Sequence, residues 1–167
     1  EGYIDRELKS IGRAHHLENK KIPIDLDFST IQSMSRESRE KFIKIKRDNA
    51  VLYKKLLKDV SWIKMPEEKE YAKSSWWMFW IMIKEGMGYD RDIVMKKLKE
   101  SLIDSRVIFY PISDMPPYKK YESKNLEVSK KVAYQGLSLP SSTKLTKKDI
   151  IYICNVLKAM DVMSIHK

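Results

Sequence analysis

The sequence predicts an α/β fold, more narrowly an α+β small domain in which helices pack on a small sheet. Three observations support this prediction. Apolar residues recur at helical spacing in long segments near the middle and the end of the chain, and an uninterrupted apolar run, Trp76–Ile83, lies between them. A β-branched and aromatic run, Arg106–Tyr110, then ends at a proline. Alternating helical and strand-like segments are typical of helices layered on a sheet.

The first predicted element is a long amphipathic helix over residues 35–60. No Gly or Pro interrupts residues 24–65, and Lys and Arg fill the faces that the apolar residues leave free. The apolar face consists of four residues, Phe42, Ile45, Leu52 and Leu56. We expect residues 1–34 to be an irregular lead-in from the end of a missing large domain, since the chain opens at Glu1 rather than Met, and residues 61–167 to form the small domain.

The run Trp76–Ile83 predicts a central strand that is buried on both faces. Its length and aromatic content favour a strand, and serines and glycines flank it. Side chains alternate between the two faces of a strand. One face would carry Trp76, Met78, Trp80 and Met82, and the other Trp77, Phe79, Ile81 and Ile83. One set would meet the helices, and the other a partner subunit or the rest of a larger chain.

Three elements are predicted after this strand. Asp90 is placed to cap a helix over residues 90–103, because apolar residues follow it at helical spacing. Arg106–Tyr110 predicts a second strand, and the prolines that follow predict a loop over Pro111–Tyr121. Together with the elements on either side, the predicted order is a long helix followed by β-α-β-α-β-α around the small sheet.

The end of the chain carries signals for a short helix, a short strand and a closing helix. Asn125 is predicted to cap the short helix, and Gly136 to end it as a left-handed C-terminal cap. Leu137–Leu139 is a brief strand that Pro140 ends. Thr146 and Asp149 have the spacing of a capping box for the closing helix.

The formal charge of +10 makes an acidic partner the first hypothesis to weigh. Positive surface attracts nucleic acid and anionic lipid. The lysines and arginines are nevertheless spread over the predicted helices and interleaved with acids, and no RNA-binding aromatic signature accompanies them. We therefore interpret the charge as solvated helix faces and expect no nucleic-acid partner.

Cysteine usage and apolar runs indicate the compartment. The single cysteine, Cys154, permits no intrachain disulfide, and no Cys/His cluster has zinc-ligand spacing. This is typical of a reducing compartment, so we expect a cytoplasmic protein without a structural metal. The longest apolar run, Trp76–Ile83, is far shorter than the about 20 residues that span a bilayer as a helix, so no membrane association is expected.

The search for catalytic motifs finds one candidate cluster. Nucleophile-elbow, phosphate-loop, dinucleotide-binding and zinc-protease patterns do not occur in the sequence. Four polar residues lie together at the end of the second predicted strand and in its loop: Arg106, Tyr110, Ser113 and Asp114. Ligands of α/β folds bind where strands end, so these residues are candidate ligand contacts; a surface arginine and a turn-forming Ser-Asp pair remain the alternative.

Several ordered motifs resemble one enzyme family. They are SWWMFWIMI, YDRDIVMKKLKESLIDSRVIFYPISDMPPY and VSKKVAYQGLSLPSSTKLTKKDIIYICNVLKAM, preceded by KRDNAVLYKKLL in the long helix. Together they resemble the C-terminal part of the DegT/DnrJ/EryC1/StrS aminotransferases, with the perosamine synthetases looking closest. The resemblance covers roughly residues 24–160.

The resemblance implies the C-terminal domain of a fold-type I transferase that depends on pyridoxal phosphate. Enzymes of this family transfer an amino group, from a donor such as glutamate, to a keto group of a nucleotide-linked sugar, and act as homodimers. In the family, the cofactor lysine lies in a large N-terminal domain that precedes anything present here, so we expect this chain alone to be inactive. Arg106 and Tyr110 are our candidates for substrate contacts.

Two residues depart from the family pattern. Asp25 stands where the family has an asparagine that contacts the cofactor phosphate, and a carboxylate would repel that phosphate at close range. Ser113 stands where many members have a histidine. The cofactor-binding residues therefore stay unassigned, and two alternatives stay open: a non-catalytic homologue that acts by binding or assembly, or a basic binding module.

Overall fold

The structure, a computed structural model, describes residues 35–121 and 125–164. These residues form helices α1 (Arg36–Leu57), α2 (Arg91–Glu100), α3 (Glu127–Gln135) and α4 (Lys147–Ser164). They also form strands β1 (Ile63–Lys64), β2 (Phe79–Ile83), β3 (Arg106–Val107) and β4 (Gly136–Leu139), and two 3₁₀ helices, Ile112–Asp114 and Pro116–Tyr121. The predicted lead-in, residues 1–34 with Asp25, lies outside the described residues.

The strands form one antiparallel sheet in the order β1-β2-β4-β3. Phe79 pairs with Leu139 and Ile81 with Leu137, so β2 and β4 are the interior strands. This confirms the predicted central position of β2. The sequence did not predict β1, whose two residues pair with the end of β2 and cover its outer edge.

The core lies on one face of this sheet. Phe79, Ile81 and Ile83 on β2 are each at most 3% exposed and belong to one cluster with the buried residues of three helices. Those residues come from α1 (Ala50, Tyr53, Leu57), α2 (Val94, Leu98) and α4 (Ile150, Ile153, Cys154, Leu157, Met160). On the opposite face of β2, Trp80 and Met82 are only half-buried, so the prediction of burial on both faces holds fully for one face.

Strand β2 begins three residues later than predicted. Trp76 has a left-handed backbone with φ of 52°. This value is incompatible with a strand, and it turns the Trp76 side chain inward, where it is 7% exposed, while Trp77 is 62% exposed. The predicted alternation is therefore wrong at these two tryptophans, because it assumed that the strand continued through them.

The helix starts follow the local sequence signals. The Ser35 hydroxyl accepts from the Ser38 N–H at 3.1 Å, and the Asp90 carboxylate accepts from the Ile93 N–H at 2.8 Å. The predicted Asp90 cap is thereby confirmed. Helix α2 ends before the predicted residue 103, since Leu102 has a φ of 58°.

The capping box of α4 is also confirmed. The Thr146 N–H donates to Asp149 Oδ2 at 2.8 Å, and the Asp149 N–H donates to Thr146 Oγ1 at 3.3 Å. Two N–H groups that the first turn of a helix leaves without intrahelical partners are satisfied in this way.

Strand β3 is shorter than the predicted Arg106–Tyr110. Arg106 pairs with Ser138 and Val107 with Leu137. In this register Ile108 falls opposite Gly136, the first residue of β4, and helix α3 precedes it, so Phe109 and Tyr110 have no strand to pair with. The predicted loop Pro111–Tyr121 instead contains the two 3₁₀ helices.

The predicted caps of α3 are wrong. Gly136 has φ of −83°, an extended conformation, and not the left-handed one. An added Cβ at Gly136 would lie 2.3 Å from the Val132 carbonyl oxygen and 2.5 Å from Ile108 Cγ1, so glycine is required here for close packing. Asn125 has φ of 78°, and the helix is capped by Leu126 without a side-chain hydrogen bond.

Candidate functional site

The candidate residues Arg106 and Tyr110 lie at the two ends of one short segment. Arg106 opens β3, its side chain is 30% exposed, and its Nε lies 3.8 Å from Asp104 Oδ2. Tyr110 is 40% exposed, and its ring centre lies 5.6 Å from that of Tyr134 on α3. Both side chains therefore reach solvent, and each also contacts another side chain, Asp104 for Arg106 and Tyr134 for Tyr110.

Arg91 supports Tyr110 from behind, and the sequence analysis missed it. Its side chain is only 13% exposed; Nη1 donates to the Ala133 carbonyl at 3.1 Å and Nε to Asp92 Oδ1 at 3.0 Å. Burial disfavours its charge, but interactions with Asp92 and Tyr110 raise the pKa of Arg91 above its ordinary value. A cation in the first turn of a helix is poorly placed for the helix dipole, and this mismatch was the available signal.

The loop after Tyr110 is anchored to α3 as well. Asp114 Oδ1 lies 3.5 Å from Lys130 Nζ. Between these anchors, the Ser113 Oγ is buried and has no hydrogen-bond partner among the described residues. Buried polar atoms are usually satisfied, so this hydroxyl is an exception within the loop.

A row of donors on α1 holds the segment 140–142, which follows β4. Tyr53 donates its hydroxyl to the Pro140 carbonyl at 2.9 Å, and Asn49 Nδ2 donates to the Ser142 carbonyl at 3.3 Å. Lys46 Nζ donates to the Ser141 carbonyl and, at 2.9 Å, to the Trp77 carbonyl. We call Lys46, Asn49 and Tyr53 the α1 clamp. The polar residues of the KRDNAVLY motif thus hold backbone, and the motif is structural at these positions.

Arg47, next in sequence to the clamp, forms the best-defined ion pair of the described segments. Its Nη1 and Nη2 lie 2.8 and 2.9 Å from the two carboxylate oxygens of Glu68, and Nη1 also donates to the Ser74 carbonyl. The Arg47 hydrogen bonds, followed by that from the Ser74 N–H, lower the pKa of Glu68 to about 2. This pair fixes the connection between α1 and β2.

Replacing Glu68 with glutamine should make the free energy of unfolding fall less steeply as the pH is lowered. Because the pKa of Glu68 is lowered from 4.5 to about 2 by folding, its contribution is present above pH 4.5 and is lost as the pH falls towards 2. Urea titrations at several pH values in this window measure the slope. Glu67→Gln, at an exposed side chain, is the matched control, and an unchanged slope in Glu68→Gln would contradict the assignment.

Lys46 does not provide a site for a carbonyl cofactor. Burial lowers the pKa of this lysine, which is the property of amines that form Schiff bases. Its ammonium is nevertheless held by two backbone carbonyls within the fold. A pyridoxal phosphate site needs a free lysine, an acid at the ring nitrogen and donors for the phosphate. The part of the chain that the structure describes does not bring such a set together.

Membrane crossing was tested on the same residues. Across residues 35–121 and 125–164, no helix has both the length and the apolar character needed to cross a membrane.

One comparison gives an unexpected likeness. The tRNA uridine 5-carboxymethylaminomethyl modification enzyme MnmG of Lactobacillus gasseri is 47% identical over 49 residues, which are 29% of this chain and 8% of that enzyme. This match is longer than the segment before residue 31 and longer than the segment after residue 158, so it must include part of residues 31–158. It covers too little of either protein to show a family.

The other comparisons agree with each other. GDP-perosamine synthase of Escherichia coli O157:H7 is 30% identical over 118 residues, 71% of this chain and 31% of that enzyme. The E. coli GDP-4-keto-6-deoxy-D-mannose-3-dehydratase with bound hydrated PLP superposes with a TM-score of 0.63 at 24% identity, over 71% of this chain and 31% of that one, which shows the fold. The chain thus spans about a third of the length of these relatives. The model of the DegT/DnrJ/EryC1/StrS aminotransferase family matches residues 31–158, and the chain belongs to this family.

Proposed function

We propose that the chain is the C-terminal segment of an enzyme that transfers an amino group to a keto group of a nucleotide-linked sugar. The family match over residues 31–158 carries this proposal. The GDP-perosamine synthase relative and the GDP-keto-sugar named for the dehydratase support the substrate class. In the proposal the amino donor is an amino acid such as glutamate, the enzyme is a cytoplasmic homodimer, and neither a membrane nor nucleic acid takes part.

The proposed cofactor is pyridoxal phosphate, which supplies an electron-accepting ring that carries the amino group. The dehydratase with the same fold supports it, since its structure holds hydrated PLP. The described residues do not fit this group. In the proposal the cofactor lysine lies, as the family resemblance implies, in a part of the enzyme outside this chain. The chain alone is then inactive, and its role is to provide the linking helix and one wall of the substrate site.

Arg106 and Tyr110 are the proposed substrate contacts on this wall. A guanidinium binds phosphate or carboxylate by two parallel hydrogen bonds, and the exposed fraction of Arg106 leaves it accessible. The phenol of Tyr110, which is 40% exposed, offers a hydroxyl to a sugar. Arg91 and Tyr134 hold Tyr110 in place.

The proposal is tested on the whole reading frame that contains this chain. The purified protein, incubated with pyridoxal phosphate, should gain the absorbance of the bound cofactor and aminate a GDP- or TDP-linked keto sugar with glutamate. Arg106→Met should raise KM about tenfold or more, because a charge-assisted contact is lost, whereas Lys96→Met on exposed α2 should leave KM unchanged. A product that has lost a hydroxyl without gaining nitrogen would place the enzyme with the dehydratase, and a protein without bound cofactor would favour the non-catalytic homologue.

A second candidate function is RNA binding, which two observations favour. They are the +10 charge and the likeness to a tRNA-modifying enzyme over 49 residues. Binding of unmodified tRNA to this chain, with an affinity that falls steeply with added salt, would support it. Absence of binding at low salt would rule out RNA binding, and the aminotransferase proposal would be the one that remains.

A further inference from the structure

The turn before β2 places a bulky residue in a costly backbone conformation. Trp76 has a φ of 52°, and the left-handed region is rare for any residue that is not glycine. Such conformations are strained, and they persist only where the surroundings of the residue impose them. An observed outlier of this kind is a reason to look for a function at the turn.

Three cations on α1 hold this turn. Lys54 Nζ lies 4.4 Å from the centre of the Trp76 ring, an attractive cation–π contact. Arg47 donates to the Ser74 carbonyl, and Lys46 donates to the Trp77 carbonyl at 2.9 Å. The backbone on both sides of Trp76 is therefore tied to one helix.

The strained turn has one visible consequence, which is that Trp77 lies on the surface. In a regular continuation of β2, Trp77 would share the buried face of Phe79. Instead its ring is 62% exposed and stacks on Phe109, which is 72% exposed, with 6.5 Å between ring centres and 13° between ring planes. We call this pair the Trp77–Phe109 surface.

We propose that the Trp77–Phe109 surface stacks the base of the nucleotide-linked sugar. This inference rests on the proposed function and adds the residues that recognise the nucleotide. Aromatic faces accept any base, and the exposure of both rings leaves faces open. Phe109 directly precedes Tyr110 and lies three residues after Arg106, so a flat aromatic surface and a cation lie on one segment. A nucleotide diphosphate offers the complement, a flat base joined to negative charge.

Nucleotide binding to the whole protein that contains this chain tests the proposal without requiring activity. GDP and TDP are titrated by calorimetry, with pyrophosphate as the probe that lacks a base. Trp77→Leu and Phe109→Leu should each weaken GDP binding about tenfold, since they remove a stacking face. Trp77→Phe keeps an aromatic face and should retain most of the affinity. Tyr71→Leu, at a tyrosine that is 90% exposed, is the matched control and should change nothing.

Three results would overturn this site: no nucleotide binding by the whole protein, pyrophosphate binding as tight as GDP binding, or Leu variants that bind GDP like the parent protein. Far-ultraviolet circular dichroism of each variant checks the fold, and the Trp77→Phe variant decides the case if a leucine variant unfolds. The two proposals fail separately. If the whole protein aminates the sugar and Trp77→Leu does not change KM, the stacking site is wrong but the aminotransferase proposal stands.

Discussion

Replacing Gly136 with alanine is expected to lower the free energy of unfolding by about 3 kcal/mol, the upper part of the range for overpacking in a dense core. The new Cβ would lie 2.3 Å from the Val132 carbonyl oxygen and 2.5 Å from Ile108 Cγ1. The Val132 oxygen already accepts the Gly136 N–H at the end of α3, so moving it breaks that bond. Moving Gly136 instead disturbs its pairing with Met82 on the central strand.

Urea denaturation followed by circular dichroism measures this effect. Gly86→Ala is the matched control, because Gly86 has φ of 76° but has nothing within 4 Å of an added Cβ. It should cost about 1–2 kcal/mol from backbone strain alone. If Gly136→Ala were no more destabilising than Gly86→Ala, the close packing of α3, β3 and β4 around Gly136 would be wrong.

Replacing Lys46 with methionine should destabilise the chain by about 2–3 kcal/mol. The ammonium donates to the Trp77 and Ser141 carbonyls, which come from the two segments that flank the central strands. Methionine has a similar length and no donor, so the partly buried Ser141 carbonyl and the exposed Trp77 carbonyl both lose this partner. Hydrogen bonds to charged groups contribute more than neutral ones. The α1 clamp would then hold segment 140–142 through Asn49 and Tyr53 only.

Thermal and urea unfolding of Lys46→Met and Lys44→Met, compared side by side, check this expectation. Lys44 lies two residues earlier on the same helix, where its side chain is 76% exposed and pairs with Asp48 at 2.7 Å. Exposed pairs contribute about 0–1 kcal/mol, so Lys44→Met should be nearly neutral. Equal effects of the two substitutions would mean that the Lys46 contacts do not stabilise the fold.

Much of the fold was predictable because its signals are local. The Asp90 cap, the Thr146–Asp149 box and the apolar spacing of α4 depend on residues within one or two helical turns. The predicted apolar face of α1 is wrong in detail, because its buried residues are Ala50, Tyr53 and Leu57, whereas Leu52 and Leu56 are only partly buried and Ile45 is exposed. The order of helices and strands from β2 onward follows from the same short-range patterns. The family resemblance rested on ordered motifs, and the family match confirms it.

The errors arose where a partner distant in sequence decides the conformation. Gly136 is a glycine at the end of a helix, which usually indicates a left-handed cap, but it is extended because Ile108 packs against it. The predicted strand Arg106–Tyr110 stops at Val107 because its partner strand begins at Gly136. Trp76 departs from the strand pattern because cations on α1 hold its turn.

The candidate site likewise combines residues that local signals predicted with contacts that depend on partners distant in sequence. Arg106 and Tyr110 were candidates because they end a predicted strand, and their role as substrate contacts stays a prediction. The helix-dipole mismatch marks Arg91 as unusual in the sequence, but its partner Tyr110 was not predictable, since these residues lie on separate elements that only packing brings together. The function of the α1 clamp was likewise hidden, because its acceptors are backbone carbonyls that carry no residue signature.

The sequence by itself determined the fold class, the order of the elements other than β1, the caps of α2 and α4, and the family, because hydrophobic periodicity and capping act over a few residues. Only the tertiary structure decided which tryptophan is buried, where β3 ends and what the polar residues of α1 hold. Those outcomes depend on contacts between segments far apart in the chain, such as Lys46 with Ser141, and no local pattern records such a pairing.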